Sequence, residues 1–257
     1  MQSWGRYAPL AWGREAIRHA ADLVWPPVSP VSGRRVDGLG RLDPAVWAKI
    51  HFLDAPWCAL CGLPFPYAVG ETMTCPACIA RPPRFARARA AFVYDDTSRT
   101  LILDFKHGGR VECLDQFAAW MARAGADILA DADAIIPVPL HRRRLAKRRF
   151  NQSALLSRAV SRRTGVAFEP HALYRARATP SQAGKSVRGR RRNVAGAFRV
   201  RRSAMNRIAG RSIILVDDVF TTGATADAAA RALLRAGAAE VNVLALARVV
   251  RPVNPLT

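Results

Sequence analysis

The stretch Ile214 to Thr225, ILVDDVFTTGAT, decides the fold class of this chain. Residues 213–216 form an aliphatic, β-branched-rich run that is typical of a buried parallel strand. Asp217 and Asp218 follow at the carboxyl end of this run, and a short turn comes next. Beyond the turn, apolar residues recur at helical spacing: Ala226, Ala229, Ala230, Leu233 and Leu234. The pattern predicts a strand–turn–helix unit whose turn lies where open α/β sheets bind their ligands.

The turn itself reads Thr221, Thr222, Gly223, Ala224, Thr225. At a helix N-terminus the free N–H groups and the positive dipole end attract an anion such as phosphate, and three hydroxyls add donors. Glycine lets the backbone approach closely or adopt a positive φ. The preceding aspartates suit sugar hydroxyls or a metal ion. The segment therefore predicts a ribose 5-phosphate site, with an ordinary turn and solvated acids as the alternative; it matches neither a Walker-type loop nor GxGxxG.

This segment resembles the PRPP-binding motif of type I phosphoribosyltransferases, a hydrophobic strand followed by DD-x-x-[ST]-[ST]-G-x-[ST]. The resemblance implies that Asp217 and Asp218 hold the ribose hydroxyls of PRPP. It also implies that Thr221 to Thr225 wrap the 5-phosphate.

The chain is strongly basic, with 40 Lys and Arg against 19 Asp and Glu residues and a formal net charge of +21. Such a charge favours polyanionic ligands, either nucleic acid or a polyphosphate such as PRPP. Two segments concentrate the excess. Residues 141–149 hold six Lys or Arg and no acid, and residues 175–192 hold seven and no acid.

Length and hydropathy limit the number of domains and the class of protein. At 257 residues, half of them hydrophobic, the chain has room for one α/β domain and a smaller module. No run approaches the roughly 18 apolar residues of a membrane span. The N-terminus lacks a compact apolar signal region, because charged residues interrupt it. We therefore expect a cytoplasmic protein without membrane insertion.

Four of the five cysteines are arranged as two CxxC pairs: Cys58, Cys61, Cys75 and Cys78. Two such pairs at this separation predict a structural Zn²⁺ site, because four thiolates close a tetrahedral shell. Disulfides are disfavoured in a chain without an export signal. A catalytic zinc is disfavoured as well, since four sulfurs leave no open position. Cys113 stands apart and is predicted to be a core residue.

The segment before the cysteines parallels them in sequence. Ser29, Ser32, Asp43 and Val46 stand where the second copy has its cysteines. We interpret residues 25–83 as a double zinc ribbon whose first half has lost its metal and holds its shape by packing, with Trp25 and Trp47 as candidates. A chance resemblance in a Pro/Gly-rich linker is the alternative.

Elsewhere, strands and helices alternate. An amphipathic helix is expected within residues 1–24. Strands are expected at 90–94, 134–138 and 241–247, and a short helix at 98–105 ending in a turn over 106–109. Further helices are expected from Leu114 and after Asn151, which is a candidate N-cap. This alternation predicts that residues 88–250 form a doubly wound parallel α/β domain.

Two basic loops become candidates for the rest of a PRPP site. The strand ending at Val138 opens into PLHRRRLAKRRFNQ, where Arg142 and Arg143 suit pyrophosphate because the guanidinium fork pairs with phosphate oxygens. The stretch 179–192 is polar, basic and glycine-containing, which favours a mobile lid. Its candidate ligands are Lys185, Arg188 and Arg192, and a solvated charged loop is the alternative.

The arrangement as a whole resembles the ComF family of competence and GntX-like proteins. The resemblance rests on the four-cysteine ribbon, PVPLHRRR followed by RRFNQ, TPSQ, and the PRPP motif. It implies a type I phosphoribosyltransferase-like fold and two functions. One is transfer of phosphoribosyl from PRPP, with Mg²⁺, to an unidentified acceptor. In this case Asp217 and Asp218 hold the ribose as its anomeric carbon gains positive charge. The alternative is a single-stranded DNA-binding accessory in DNA uptake that acts with a helicase.

Overall fold

The computed structural model describes residues 26–68, 70, 72–107, 111–141, 145–146, 150–177 and 194–250. The helix expected within residues 1–24 lies outside this part of the chain. Among the described residues, no helix is both long and apolar enough to cross a membrane.

A parallel sheet of five strands forms the centre of the molecule. In chain order the strands are β1 (Ala88–Val93), β2 (Ala134–Pro137), β3 (Ala167–Phe168), β6 (Ser212–Phe220) and β7 (Glu240–Arg248). Their order across the sheet is β1-β7-β6-β2-β3, and every pairing is parallel. Two further strands, β4 (Leu173–Arg175) and β5 (Phe198–Val200), pair antiparallel as a separate hairpin.

The described residues form seven helices, and the last five of them cover both faces of the sheet. The helices are α1 (Pro44–Trp47), α2 (Pro76–Ala80), α3 (Asp96–His107), α4 (Leu114–Ala124), α5 (Ala126–Leu129), α6 (Gln152–Thr164) and α7 (Ala224–Arg235). Short 3₁₀ turns span Val111–Cys113 and Arg202–Arg207. The fold is thus the doubly wound α/β class that the sequence predicts.

Strand β6 shows how the two layers form. Its side chains alternate, so Ile213 and Leu215 belong to one buried cluster and Ile214 and Val216 to the other. The first cluster contains α7 and the β4–β5 hairpin, whereas the second contains α3, α4 and α6. A strand buried on both faces needs an unbroken apolar run, which explains the sequence of residues 213–216. Cys113 is buried in the second cluster, as expected.

The predicted strands and helices shift by one or two residues at several ends, and two differences bear on the site. Strand β6 continues to Phe220, so the aspartate pair lies within the second half of the strand rather than after it. Helix α3 runs from Asp96 to His107, so the turn expected at Lys106 is wrong. The physical reason is tertiary: Leu101, Ile102 and Phe105 are buried against the sheet, and the Lys106 ammonium pairs with a carboxylate of β6.

The N-terminal segment consists of two halves with the same backbone hydrogen bonds. In the first, the N–H of Ser29 donates to the carbonyl of Arg34 and that of Gly33 to Ser29, at 2.7 and 2.9 Å. In the second, the N–H of Cys58 donates to Leu63 and that of Gly62 to Cys58, at 2.8 and 2.9 Å. Both glycines have a φ of +68°. A short helix follows in each half, α1 after Asp43 and α2 after Cys75.

The first half is held by side chains rather than by thiols. The Ser32 hydroxyl donates to the Asp43 carboxylate, which also accepts from the N–H groups of Ala45 and Val46 at the start of α1. This contact with Ser32 lowers the pKa of Asp43. The Trp47 ring lies 5.1 Å from Phe52 and 5.4 Å from Trp120 of α4, which fastens this half to the α/β domain. Trp25 lies outside the described residues.

Candidate phosphosugar site and four-cysteine centre

The aspartate pair lies at the topological switch point of the sheet. After β2 the chain moves outward to β3, and after β6 it moves the other way to β7. The crevice outside the carboxyl ends of β2 and β6 is therefore the place where open α/β sheets bind ligands. Asp217 and Asp218 lie on β6 there, and Val138 extends the pairing of β2 by donating its N–H to the carbonyl of Val216 at 2.8 Å.

Asp217 and Asp218 have different surroundings. Oδ1 of Asp217 accepts hydrogen bonds from the Ser153 hydroxyl at 3.2 Å and from the N–H of Asp218 at 2.9 Å. Oδ2 of Asp218 lies 2.9 Å from Nζ of Lys106. Burial, and then the charge of Asp218, raise the pKa of Asp217 to about 7. With this pKa, Asp217 gains and loses a proton readily near neutral pH, beside the contact between Asp218 and Lys106.

The loop that follows, residues 221–223, joins β6 to the N-terminus of α7. Gly223 has a φ of +71°, and a Cβ there would lie 2.9 Å from Cζ of Phe220. Only glycine fits both conditions. The Thr222 hydroxyl is buried and has no hydrogen-bond partner. A buried hydroxyl without a partner is costly, so this loop has a donor ready for a ligand oxygen.

Helix α7 starts at Ala224 without a side-chain cap. Its first N–H groups therefore face the same loop as the Thr222 hydroxyl, as an anion-binding terminus requires. The structure brings together Asp217, Asp218 and residues 221–225 within one strand–loop–helix unit.

Lys106 and Ser153 are site residues that the sequence reasoning missed. They come from two different helices, α3 and the first turn of α6. Nε2 of Gln152 also donates to the carbonyl of Lys106 at 3.2 Å, which ties these two helices together. A lone lysine after an apolar helical stripe (Leu101, Ile102, Phe105) was the available signal, but assigning its partner needed the tertiary fold.

The predicted arginine ligands lie outside the described residues. This applies to Arg142 and Arg143 in the loop after β2, and to Lys185, Arg188 and Arg192 in the predicted lid. The residue that closes the first loop is described: Asn151 caps α6 by accepting from the N–H of Ser153, and its Nδ2 donates to the carbonyl of Val138 at 3.1 Å. The cap predicted at Asn151 is therefore confirmed.

The four cysteines form a compact buried cluster. All four Sγ atoms lie within 4.8 Å of one another, and those of Cys61 and Cys75 are 3.7 Å apart. A tetrahedral ion with bonds of about 2.3 Å to sulfur places its ligands roughly 3.8 Å apart. The N–H groups of Cys61 and Cys75 point at Sγ of Cys58, at 3.5 and 3.3 Å. This donor set fits Zn²⁺ or a similar soft cation.

Electrostatics leads to the same conclusion about the cluster. The contact with Cys58 raises the pKa of Cys61 to about 11 and raises that of Cys78 as well. Four sulfurs this close cannot all be thiolates unless a cation compensates their charge. The cluster is therefore suited to a metal and poorly suited to four free thiols.

One buried arginine connects the cysteine cluster to residues 221–223, the candidate phosphosugar loop. The guanidinium of Arg248, at the end of β7, donates to the carbonyl of Cys61 and lies 3.4 Å from its Sγ. The same guanidinium lies over the Phe220 ring, 4.8 Å from its centroid. Phe220 in turn packs against Gly223 and, edge to face, against Phe85. The module and the loop thus share one packed contact.

Comparison with known proteins agrees with the fold. The family profile "Phosphoribosyl transferase domain" matches residues 153–252. DNA utilization protein YhgH of Escherichia coli O157:H7 is 36% identical over 210 residues, covering 79% of this chain and 89% of that protein. Competence protein F of Haemophilus influenzae is 32% identical over 206 residues, covering 75% and 85%. Competence protein ComFC of Bacillus subtilis is 30% identical over 162 residues, covering 62% and 63%.

The fold, the four-cysteine cluster and these relatives lead to one conclusion. The chain belongs to the ComF family, and it joins a phosphoribosyltransferase-like domain to a four-cysteine cluster.

Proposed function

We propose that this protein binds PRPP at the carboxyl edge of β6 and transfers its phosphoribosyl group to an acceptor, releasing pyrophosphate. The main support for the proposal is that one short segment combines groups suited to ribose with groups suited to phosphate. Two carboxylates suited to ribose hydroxyls precede a loop with a buried, unpartnered threonine hydroxyl and a helix N-terminus.

Binding at this site defines roles for the residues. Asp217 and Asp218 hold the ribose hydroxyls, and residues 221–225, which are the loop and the start of α7, hold the 5-phosphate. Lys106 forms an ion pair with Asp218 in the free protein, so its ammonium group lies at the proposed site. Mg²⁺, when bound with PRPP, supplies positive charge against the leaving pyrophosphate. Arg142, Arg143, Lys185, Arg188 and Arg192 remain the proposed pyrophosphate and lid ligands.

Transfer needs no protein nucleophile, because the acceptor attacks the anomeric carbon. The bond from that carbon to the pyrophosphate oxygen breaks as the new bond forms, and the ribose carries positive charge in between. Carboxylates fixed beside the sugar stabilise this charge, and a closed site orients the acceptor. Because the pKa of Asp217 is about 7, this carboxyl group can give its proton to water near neutral pH, and both carboxylates can then be charged beside the cationic ribose.

Calorimetry with PRPP and Mg²⁺ tests the proposal. The double variant Asp217→Asn/Asp218→Asn should lose PRPP binding by a hundredfold or more, because it removes both charged hydroxyl acceptors. The control variant Asp131→Asn/Asp133→Asn removes the same two charges just before β2, at the opposite edge of the sheet. Unchanged PRPP affinity in the first variant would contradict the site. A screen of nucleobase acceptors for pyrophosphate release then identifies the reaction.

A second candidate function is DNA-linked. One relative is named a DNA utilization protein and two are named competence proteins. The +21 net charge of this chain supports binding to a nucleic acid. We therefore propose that it also handles single-stranded DNA, with a helicase partner expected from the family resemblance alone.

A further inference from the structure

We propose that single-stranded nucleic acid binds in a groove on the β4–β5 hairpin, at a surface separate from the phosphosugar site. This inference rests on the DNA-linked role proposed above and assigns it a location. Because the two binding sites are separate, PRPP and the nucleic acid can bind at the same time.

The groove lies between the hairpin and the 3₁₀ turn Arg202–Arg207. It has a volume of about 540 Å³ and is lined by Tyr174, Arg199, Arg201, Arg202, Ser203 and Met205. A second groove of about 460 Å³ shares Arg199 and Met205 and continues to Arg235 at the end of α7. Together they form a continuous surface across the hairpin.

Four arginines supply the charge of this surface. Arg199, Arg201, Arg202 and Arg235 are all exposed, and none of them forms an ion pair with another described residue. By contrast, Arg207 beside them is bound to Glu169 at 2.9 Å. The chain has no acidic residue between Glu169 and Asp217. Exposed guanidinium groups on a positively charged surface are suited to the phosphates along a nucleic-acid strand.

An aromatic ring lies among these charges. Tyr174 pairs with Arg199 across the hairpin, so their side chains share one face. The Arg201 guanidinium lies over the Tyr174 ring, 5.2 Å from its centroid. A planar guanidinium stacked on a tyrosine offers a platform for an unpaired base. A duplex keeps its base faces covered, so this platform favours a single strand.

The groove is remote from the phosphosugar loop. Helix α7 begins at that loop and ends at Arg235, and its 12 residues span about 18 Å. The hairpin packs along α7 on the same face of the sheet, and its core residues Leu173 and Phe198 are buried there. A nucleic acid held by Arg201 and Arg235 therefore does not need the space that PRPP would occupy.

The test uses a labelled oligothymidylate and fluorescence anisotropy at several salt concentrations. The variant Arg199→Ala/Arg201→Ala/Arg202→Ala should bind at least tenfold more weakly. Its plot of log affinity against log salt should flatten by about 2, since each phosphate contact to a single strand contributes about 0.7. Tyr174→Ala should weaken binding by about tenfold through lost stacking.

The control variant is Arg158→Ala/Arg162→Ala/Arg163→Ala. It removes the same charge from exposed positions on α6, which packs on the opposite face of the sheet. This control should bind the oligonucleotide within about twofold of the unchanged protein. Equal losses in both triple variants, or equal affinity for single strand and duplex, would overturn the groove assignment while leaving the DNA-linked role intact.

Two further measurements, with PRPP present and with PRPP alone, complete the experiment. Saturating PRPP should leave oligonucleotide affinity unchanged, and competition between them would overturn the separate site. If the unchanged protein fails to bind oligothymidylate at all, the DNA-linked role fails together with this inference. PRPP calorimetry on the same groove variant reports on the phosphosugar site independently.

Discussion

At the residue scale, Gly223 shows how one missing side chain shapes the candidate phosphate loop. Its positive φ disfavours most other residues at this position, and the Phe220 ring would contact even the Cβ of alanine too closely. The ring is held from below by Arg248 and Phe85, so it has little freedom to move aside. The loop's shape is therefore determined by packing as well as by turn geometry.

Replacing Gly223 by alanine should lower PRPP affinity by tenfold or more and stability by about 1–2 kcal/mol. Gly165→Ala is the matched control: its φ is +77°, but nothing lies within 4 Å of the added Cβ. The two variants share the backbone strain and differ in the contact with Phe220. Calorimetry and chemical denaturation measure the difference. Equal PRPP affinity in both variants would show that the ring contact is unimportant.

The raised pKa of Asp217 predicts a pH effect on stability. Between about pH 4 and pH 7 the folded chain keeps a proton on Asp217 that the unfolded chain has lost, so rising pH removes stability across this window. Asp217→Asn does not titrate. It should therefore be more stable than the unchanged protein above pH 7, by on the order of 4 kcal/mol for a shift of about three pKa units, with the difference shrinking towards pH 4.

Urea denaturation at a series of pH values measures this effect. Asp115→Asn, at a side chain that is 91% exposed, provides the control and should show no such trend. A stability difference for Asp217→Asn that is the same at every pH would contradict the assignment of the proton to Asp217.

At the scale of elements, Arg248 and Arg89 show two ways in which the strands hold the ribbon. Both are buried on the sheet, and both reach the cysteine module. Arg89 donates to the carbonyl of Ala59, lies over the Trp57 ring and pairs with Asp127. Arg248 reaches Cys61 and Phe220 instead. Only the Arg248 contact continues into the phosphosugar loop.

Arg248→Met should therefore lower PRPP affinity several-fold as well as thermal stability, because it frees the Phe220 ring. Arg89→Met should lower stability by a similar amount, about 1–3 kcal/mol for lost buried hydrogen bonds, and leave PRPP affinity unchanged. Calorimetry on both variants separates general destabilisation from the specific link. The same PRPP affinity in both variants would exclude a role for Arg248 in positioning the loop.

At the scale of the whole molecule, the N-terminal segment raises the question of how many metal ions the chain binds. Its two halves have the same backbone hydrogen bonds, but only the second has four cysteines. Serine is a poor zinc ligand and valine is none, so we propose that the first half is a metal-free ribbon. Its Ser32–Asp43 contact and the Trp47 packing take the place of the ion.

Metal analysis should then find one zinc ion per chain. Asp43→Ala and Cys75→Ala are matched variants, because both residues precede the short helix of their half. Cys75→Ala should abolish zinc binding. Asp43→Ala should keep the zinc and lose about 1 kcal/mol of stability from the helix cap. Two zinc ions per chain, or loss of zinc in Asp43→Ala, would contradict the metal-free first half.

Local features of the sequence were sufficient to predict the central strand, the cysteine cluster and a helix cap. The apolar run 213–216 predicted a buried parallel strand, because a strand covered on both faces allows no polar alternation. The paired CxxC spacing predicted the cysteine cluster, because each short turn fixes two sulfurs without help from the rest of the chain. The cap at Asn151 is equally local.

Only the tertiary structure decided which distant groups meet. Lys106 and Ser153 reach the aspartate pair from two helices, and Arg248 contacts both Phe220 and Cys61, the latter 187 positions away in the chain. The pKa of Asp217 depends on burial and on neighbours brought by other elements. Such contacts leave no periodic trace in a sequence, because they depend on how helices and strands pack and not on the spacing of residues within any one of them.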